Sequence, residues 1–195
     1  MFLLKRVVAL LSYGMLAVTG IFIPLIAATQ EVLIAKNNKA IAAIVLPDKP
    51  SDVITYSGLE LAKYLTKITG ASFSINPGGK TNSSIKLQKT NGNNSEAYTI
   101  STSKGNIVLA GNSDRAVLFA VYDFLGRLGC VWLAPDLDIF SGKAEIIPNS
   151  PNLSFQSPTI REEPAFTYRK LNVDGGRTHN SENLMKMIEW MPKAR

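Results

Sequence analysis

Two residue types that carry much of enzyme chemistry are nearly missing from this 195-residue chain, which has one cysteine, Cys130, and one histidine, His179. A single cysteine excludes an intrachain disulfide and a cysteine-based zinc site. Set in the apolar run Cys130-Val131-Trp132-Leu133, it reads as a small core residue and not as a nucleophile. His179 has no second histidine or cysteine with which to complete a metal site, so neither a metal nor any other cofactor is expected. There is no P-loop, no dinucleotide-binding glycine fingerprint and no Gly-x-Ser-x-Gly elbow. Internal repeats and low-complexity tracts are absent as well. The chain is basic, with 21 Lys and Arg against 15 Asp and Glu and a net charge of +6. Its cations are scattered, not gathered into a stripe with interleaved aromatics, which argues against a nucleic-acid partner.

What is present is organised around Gly111 to Pro135, GNSDRAVLFAVYDFLGRLGCVWLAP. Asn112 and Ser113 offer side-chain oxygens to the free N–H groups of a helix start, and Asp114 places negative charge where the helix dipole favours it. Val117, Leu118, Val121, Tyr122, Leu125 and Leu128 recur at three- and four-residue steps and form one broad apolar face. Gly129 is placed to end the helix in a left-handed conformation, and Cys130 to Leu133 continues as a short buried strand. Such a helix needs a sheet to cover its face.

The rest of the chain supplies the strands. Glu31–Ile34 and Ile41–Leu46 are apolar, β-branched runs around a turn-like Lys36-Asn37-Asn38-Lys39, read as a hairpin or as two sheet strands. After the breaker segment Pro47–Ser51 comes a helix with Leu61, Leu65 and Ile68 on one face, Glu60, Lys63 and Lys67 on the other, and Gly70 at its end. Phe73–Ile75 and Ile85–Leu87 read as short strands, and Ala97–Thr102 with Ile107–Ala110 as a hairpin about Lys104-Gly105-Asn106. Ile139-Phe140 and Ile146-Ile147 read as a short strand pair, and Pro148, Pro151 and Pro158 mark an extended linker. Together these predict an α+β domain over residues 29–158, a mixed β-sheet with two helices packed on one face.

Residues 1–28 read as a signal peptide: Lys5 and Arg6, an apolar run from Val7 to Ile26, then small residues at Ala27-Ala28. The run is long enough that an uncleaved membrane anchor is the alternative, although Gly14, Gly20 and Pro24 weaken it as a spanning helix. Either way the remainder is expected to be exported, to a periplasmic or extracellular setting, with a membrane as partner only if the segment is retained.

Two stretches resemble a known family. A glycine soon followed by Arg115, then a helix with AVYDFL, then LG-C-W and Pro135, resembles the small N-terminal domain of family-20 β-N-acetylhexosaminidases and family-67 α-glucuronidases, as does the helix ELAKYLTKITGA. In those enzymes the domain precedes a (β/α)8 catalytic barrel and is not itself catalytic. The tail is similar to the first barrel unit of family-20 enzymes: Pro164-x-Phe166-x-x-Arg169, apolar residues, Asp174, a turn with Arg177 and His179, then an amphipathic helix from Ser181 to Trp190 bearing Leu184, Met187, Ile188 and Met191 on one face. Two positions depart from that pattern. Lys170 stands where the family has glycine, and Thr178 separates Arg177 from His179.

The resemblance implies that Thr167–Val173 is the first strand, and residues 159–195 the first β/α unit, of an incomplete TIM barrel. It also implies that Arg169 lines a sugar pocket with Asp174 and His179 nearer the rim; the other reading makes Arg169 a surface arginine paired with Glu162 or Glu163. Glycoside hydrolysis usually needs two carboxyl groups about 5–9.5 Å apart across the scissile bond. The adjacent Glu162 and Glu163 point to opposite faces of an extended strand and read as a solvated pair. The resemblance implies that the catalytic carboxylates come from later barrel strands, so no catalytic residue is expected in this chain. The expectation is a non-catalytic domain of an exported glycoside hydrolase acting on an oligosaccharide or polysaccharide, completed by a downstream barrel or a partner chain. The alternative is an exported carbohydrate-binding or membrane-tethered scaffold module.

Overall fold

The computed structural model describes residues 30–75, 83–93, 95–137, 141–166 and 181–194. In chain order these give β1 (Val32–Lys36), β2 (Lys39–Ala40), β3 (Ala43–Val45), α1 (Asp52–Thr69), β4 (Ser84–Lys89), β5 (Tyr98–Ser103) and β6 (Asn106–Gly111). There follow α2 (Asp114–Arg127), β7 (Val131–Trp132), β8 (Glu145–Ile146), β9 (Leu153–Phe155), β10 (Ile160–Glu162) and α3 (Ser181–Trp190). The main sheet is mixed and five-stranded in the order β10-β5-β6-β4-β3, with β3, β4 and β6 parallel and β5 and β10 antiparallel to their neighbours. A second, antiparallel sheet runs β2-β1-β9, and β7 and β8 form a separate two-stranded ribbon.

Local chemistry accounts for the boundaries. Asn37 and Asn38 at φ 50° and 59°, and Lys104 and Gly105 at φ 49° and 76°, give each hairpin two consecutive left-handed residues, which matches the twist of the flanking strands. Ser51 caps α1 by accepting from the Ile54 amide at 3.3 Å, and Gly70, at φ 70°, ends it while donating to Thr66 O at 2.8 Å. Ser113 caps α2 by accepting from the Ala116 amide at 3.2 Å, and Gly129 turns the chain out at φ 99°. Gly111 is required by close approach, since a Cβ there would lie 2.4 Å from Val117 N.

The two long helices pack on one another and on the sheet, α2 over β5 and β6 and α1 beside β3. Leu61, Leu65 and Ile68 of α1 meet Val121, Phe124 and Leu125 of α2 and Ile85, Ile100 and Ile107 of the sheet, all fully buried. Each such side chain stabilises the fold by roughly 1.5–3 kcal/mol on burial. Phe155 of β9 closes the far end of this core edge-on to Phe124, with ring centroids 4.9 Å apart.

Of the two readings of Glu31–Ile34 and Ile41–Leu46, the two sheet strands hold: β1 lies in the second sheet, Ala43–Val45 crosses to the edge of the main sheet, parallel to β4, and only Lys39-Ala40 hairpins with β1. Three local expectations change. Phe73–Ile75 makes a single bridge, Ile75 to Ile44, and no strand. Cys130–Leu133 is not a buried sheet strand, because Val131 and Leu133 are half-exposed and only Cys130 is buried; its partner is Glu145-Ile146 in the outlying ribbon. The proline-marked stretch after Pro148 is no free linker. Its prolines flank β9 and β10, which pair with β1 and β5 at sheet edges, where proline is tolerated.

Candidate functional site

The structure gathers its polar chemistry at one place, where α1, the β7–β8 ribbon and α3 surround a cleft of about 420 Å³. The ribbon sets it up through strand alternation. Trp132 and Glu145 are cross-strand partners facing α1, while Val131 and Ile146, the neighbouring pair, face out. Trp132 Nε1 donates to the Tyr64 hydroxyl at 2.9 Å, which in turn donates to Glu145 Oε2 at 2.8 Å. Lys67 Nζ donates to the other oxygen of Glu145 at 2.5 Å. The indole also stands edge-on to Tyr64 and Tyr122, each ring centroid 5.4 Å from its own. Trp132 is thus a packing residue with its indole N–H satisfied.

Beneath this layer lies Glu60, and here the sequence reading needs correction. Assigned to the solvent face of α1, Glu60 is only 5% exposed. The reason is helical spacing: Glu60 is three residues from Ser57 and four from Tyr64, both buried, so it shares their row on the helix. Its carboxylate accepts from Tyr122 Oη at 2.9 Å and from Lys63 Nζ at 2.8 Å, and lies 3.7 Å from Lys193 Nζ. A carboxylate so deep is tolerated because cations and a phenol satisfy it.

The environment shifts several groups. Burial above all, and then the Glu60 charge, raises the Tyr122 phenol far above its ordinary value. Burial likewise raises Tyr64, assisted by Glu145. For Glu145, burial acts to raise the carboxyl, but hydrogen bonds from Lys67 and Tyr64 outweigh it and hold the group below its ordinary value. Burial lowers the Lys193 ammonium despite the attraction of Glu60. Cys130 is 3% exposed, and burial pushes its thiol up to about 12, which makes it unreactive as a nucleophile.

Arg169, Asp174 and His179, with the expected first barrel strand Thr167–Val173, lie outside the described residues. Glu162 and Glu163 are exposed, Glu162 within 3.5 Å of Arg127 Nη2. Helix α3 forms where expected, with a turn at Pro192, but only Met187 of its apolar face is buried; Leu184, Ile188 and Met191 are each more than two-fifths exposed. Trp190 lines the cleft from this helix, its buried Nε1 without a hydrogen-bond partner among the described residues. Those residues contain no cluster of His, Cys, Asp and Glu able to hold a metal, and no described helix is long and apolar enough to cross a membrane.

The chain is similar to part of a solved family GH115 4-O-methyl-α-glucuronidase described as having specificity for decorated arabinogalactans. The match is 12% identical, covers 83% of this chain and 24% of that one, and has a TM-score of 0.54. The chain shares its fold with part of a glycoside hydrolase. Other similar structures are the GH20 β-N-acetylhexosaminidase of Streptomyces coelicolor A3(2), 18% identical over 72% of this chain and 25% of that one with a TM-score of 0.49, and the chitobiase of Flavobacterium johnsoniae, 16% identical over 75% and 21% with a TM-score of 0.48. The chain spans about a quarter of the length of these structures. No protein-family model matches it, and no curated protein is significantly similar.

Proposed function

We propose that this chain serves as the non-catalytic accessory domain of an exported glycoside hydrolase, with the tail beyond β10 opening a (β/α)8 catalytic barrel supplied downstream or by a partner chain. β10 itself belongs to the main sheet, which moves the expected boundary at residue 159 towards the C-terminus. The observation that carries the proposal is the fold likeness itself, which takes in 83% of this chain and only 24% of the α-glucuronidase. Supporting it, the deeper carboxylates among the described residues are committed to structure: Glu60 to Tyr122 and Lys63, Glu145 to Tyr64 and Lys67, and Asp123 to Arg127. A catalytic pair needs one acid free to protonate the leaving group and a second carboxylate free to act across the sugar ring. The motif around Arg169 adds a binding role, since a guanidinium presents planar donors able to bridge neighbouring sugar hydroxyls.

The test has two arms. The isolated chain is expected to leave aryl glycosides intact, while a polypeptide continuing in frame through the remaining βα units is expected to cleave one of them. In that complete enzyme, Arg169→Ala is expected to lower kcat/KM by roughly ten- to a hundred-fold at unchanged melting temperature, the loss of a charged hydrogen bond worth about 1.5–3 kcal/mol. Robust hydrolysis by the isolated chain overturns the non-catalytic reading. A complete protein that binds sugars but cleaves no glycoside favours a binding or tethering module instead.

A further inference from the structure

The loop between β4 and β5 carries the chain's one Asn-Gly pair, Asn91-Gly92. Both residues are exposed. Among the described residues neither the Asn91 side-chain amide nor the Gly92 N–H has a hydrogen-bond partner. Glycine has no Cβ, so nothing hinders the Asn91 side-chain carbonyl carbon from approaching the Gly92 nitrogen. Other asparagines at the surface are held. Asn37 is followed by Asn38, whose N–H donates to Pro151 O at 3.0 Å, and Asn149 by Ser150, whose N–H donates to Ile68 O at 2.8 Å. Asn112 is fixed through its own amide: Oδ1 accepts from Thr90 Oγ1 at 2.7 Å, and Nδ2 donates to Ser95 Oγ at 3.1 Å and Asn93 Oδ1 at 3.3 Å.

Asn91 sits inside this clasp without belonging to it. On one side Thr90 N donates to Gly111 O at 2.8 Å. On the other, Gly92 lies against Asn112 so closely that a Cβ there would stand 2.6–2.9 Å from Cγ, Oδ1 and Nδ2 of that side chain. The loop is therefore pinned before and after Asn91 to the residues that lead into Ser113, the cap of α2. Any lengthening of the main chain at Asn91 is felt at the head of that helix.

We propose that Asn91 is a site of spontaneous backbone modification, in which its side chain closes on Gly92 and reopens as isoaspartate, releasing the clasp on α2. In the first step the Gly92 nitrogen bonds to Asn91 Cγ, the Cγ–Nδ2 bond breaks, and the amide departs as ammonia with the proton from the Gly92 N–H. Water then adds to either carbonyl of the cyclic imide and cleaves one of its two C–N bonds. Cleavage at Cγ leaves aspartate. Cleavage at the main-chain carbonyl leaves isoaspartate, whose chain runs through Cβ and Cγ and is one carbon longer, so Gly92 and Asn93 cannot both keep their places on Asn112. The chemistry needs only water and is independent of the glycoside hydrolase reading.

The full chain, folded or in urea, is incubated in mildly alkaline buffer at physiological temperature. Each asparagine peptide is followed by mass spectrometry, with isoaspartate read by isoaspartyl methyltransferase labelling. Asn91 is expected to convert first, at a rate that folding changes little. Folding is expected to slow Asn149 and Asn112 by about five-fold or more, the factor that one hydrogen bond of ordinary strength supplies. Folding that slows Asn91 as much as Asn149, or no isoaspartate at Asn91, overturns the proposal. Incubated protein is expected to melt about 2–4 °C below fresh protein, the shift that losing one such bond produces in a chain of this length. Asn91→Gln, whose longer side chain must close a larger ring, is expected to melt alike before and after incubation. Fresh Asn91→Asp carries the charge on an unlengthened chain and is expected to melt like fresh wild type. Incubated Asn91→Gln that loses as much stability as wild type, or fresh Asn91→Asp that has already lost it, overturns the release of α2.

Discussion

Lys193, just beyond α3, reaches back so that its Nζ lies 3.7 Å from Glu60 Oε2, over the rings of Tyr64 and Tyr122 at 5.6 and 5.8 Å. The contact ties the last described turn of the chain to the middle of α1. Removing the carboxylate in Glu60→Ala strands both the Tyr122 hydroxyl and a buried ammonium, at an expected cost of about 3–5 kcal/mol in urea unfolding. Glu60→Gln keeps an acceptor for Tyr122 and is expected to cost less. A double-mutant cycle with Lys193→Met should show coupling of about 0.5–3 kcal/mol; strict additivity would mean that the two groups do not interact in solution.

Acid should loosen the ribbon first. The Glu145 carboxyl is held below its ordinary value of 4.5, so its contribution is fully present above that pH and is lost as pH falls through the lowered folded value. Melting temperature is expected to decline below pH 4.5, and Glu145→Gln to flatten part of that decline. An unchanged acid limb in the variant would remove Glu145 from the account.

At the alkaline end the sign reverses. Tyr64 and Tyr122 have folded values raised above the ordinary 10.0, so the native state keeps their protons while the unfolded chain loses them. Stability is expected to fall as pH rises past 10.0, and their phenolate absorbance to appear together with unfolding, later than that of half-exposed Tyr56. Phenolate signals from all three in the folded protein would contradict the buried network.

Two glycines of the α2 region should respond in opposite directions. A methyl group at Gly111 meets the helix backbone at 2.4 and 2.6 Å, so Gly111→Ala is expected to destabilise by about 1–3 kcal/mol. Gly126 has open space around it in the helix, and Gly126→Ala is expected to stabilise by roughly 0.5–1 kcal/mol. Chemical denaturation of both variants checks the registry of α2 over β6.

The face of α2 is the simplest target. Val121 and Leu125 are fully buried, and Val121→Asp or Leu125→Asp places an unpaired carboxylate in the core. Either is expected to unfold the domain by circular dichroism, at more than about 4 kcal/mol. A native-like melt would refute the packing described.

Elements whose sequence period and punctuation agreed were legible in advance. Helix α2, with Ser113 before it and Gly129 after it, and the hairpin turning at Lys104-Gly105 needed no tertiary information. The core face of α1 was readable from Leu61, Leu65 and Ile68 for the same reason. Glu60 was misplaced because residue type overruled helical geometry, and its partners Tyr122 and Lys193 are distant in sequence, so no local signal announced them. The choice between a hairpin and two sheet strands around Ile41 stayed open for a related reason. Hydrophobic alternation gives a strand its faces but not its sheet, and the sheet is decided by which partners bury those faces. The cleft belongs wholly to this class, since its walls come from stretches more than a hundred residues apart.

Cys130 gives the molecule an internal clock. Its thiol is sealed under the core and pushed up to about 12, so a thiol reagent at neutral pH has almost no thiolate to attack in the closed state. Modification must wait for the segment after α2 to lift away, and its rate then reads the frequency of that opening. Being the chain's only cysteine, it reports from one place without any engineered label. That place lies between α2 and the ribbon that walls the cleft, so a ligand that braces the ribbon would slow the clock.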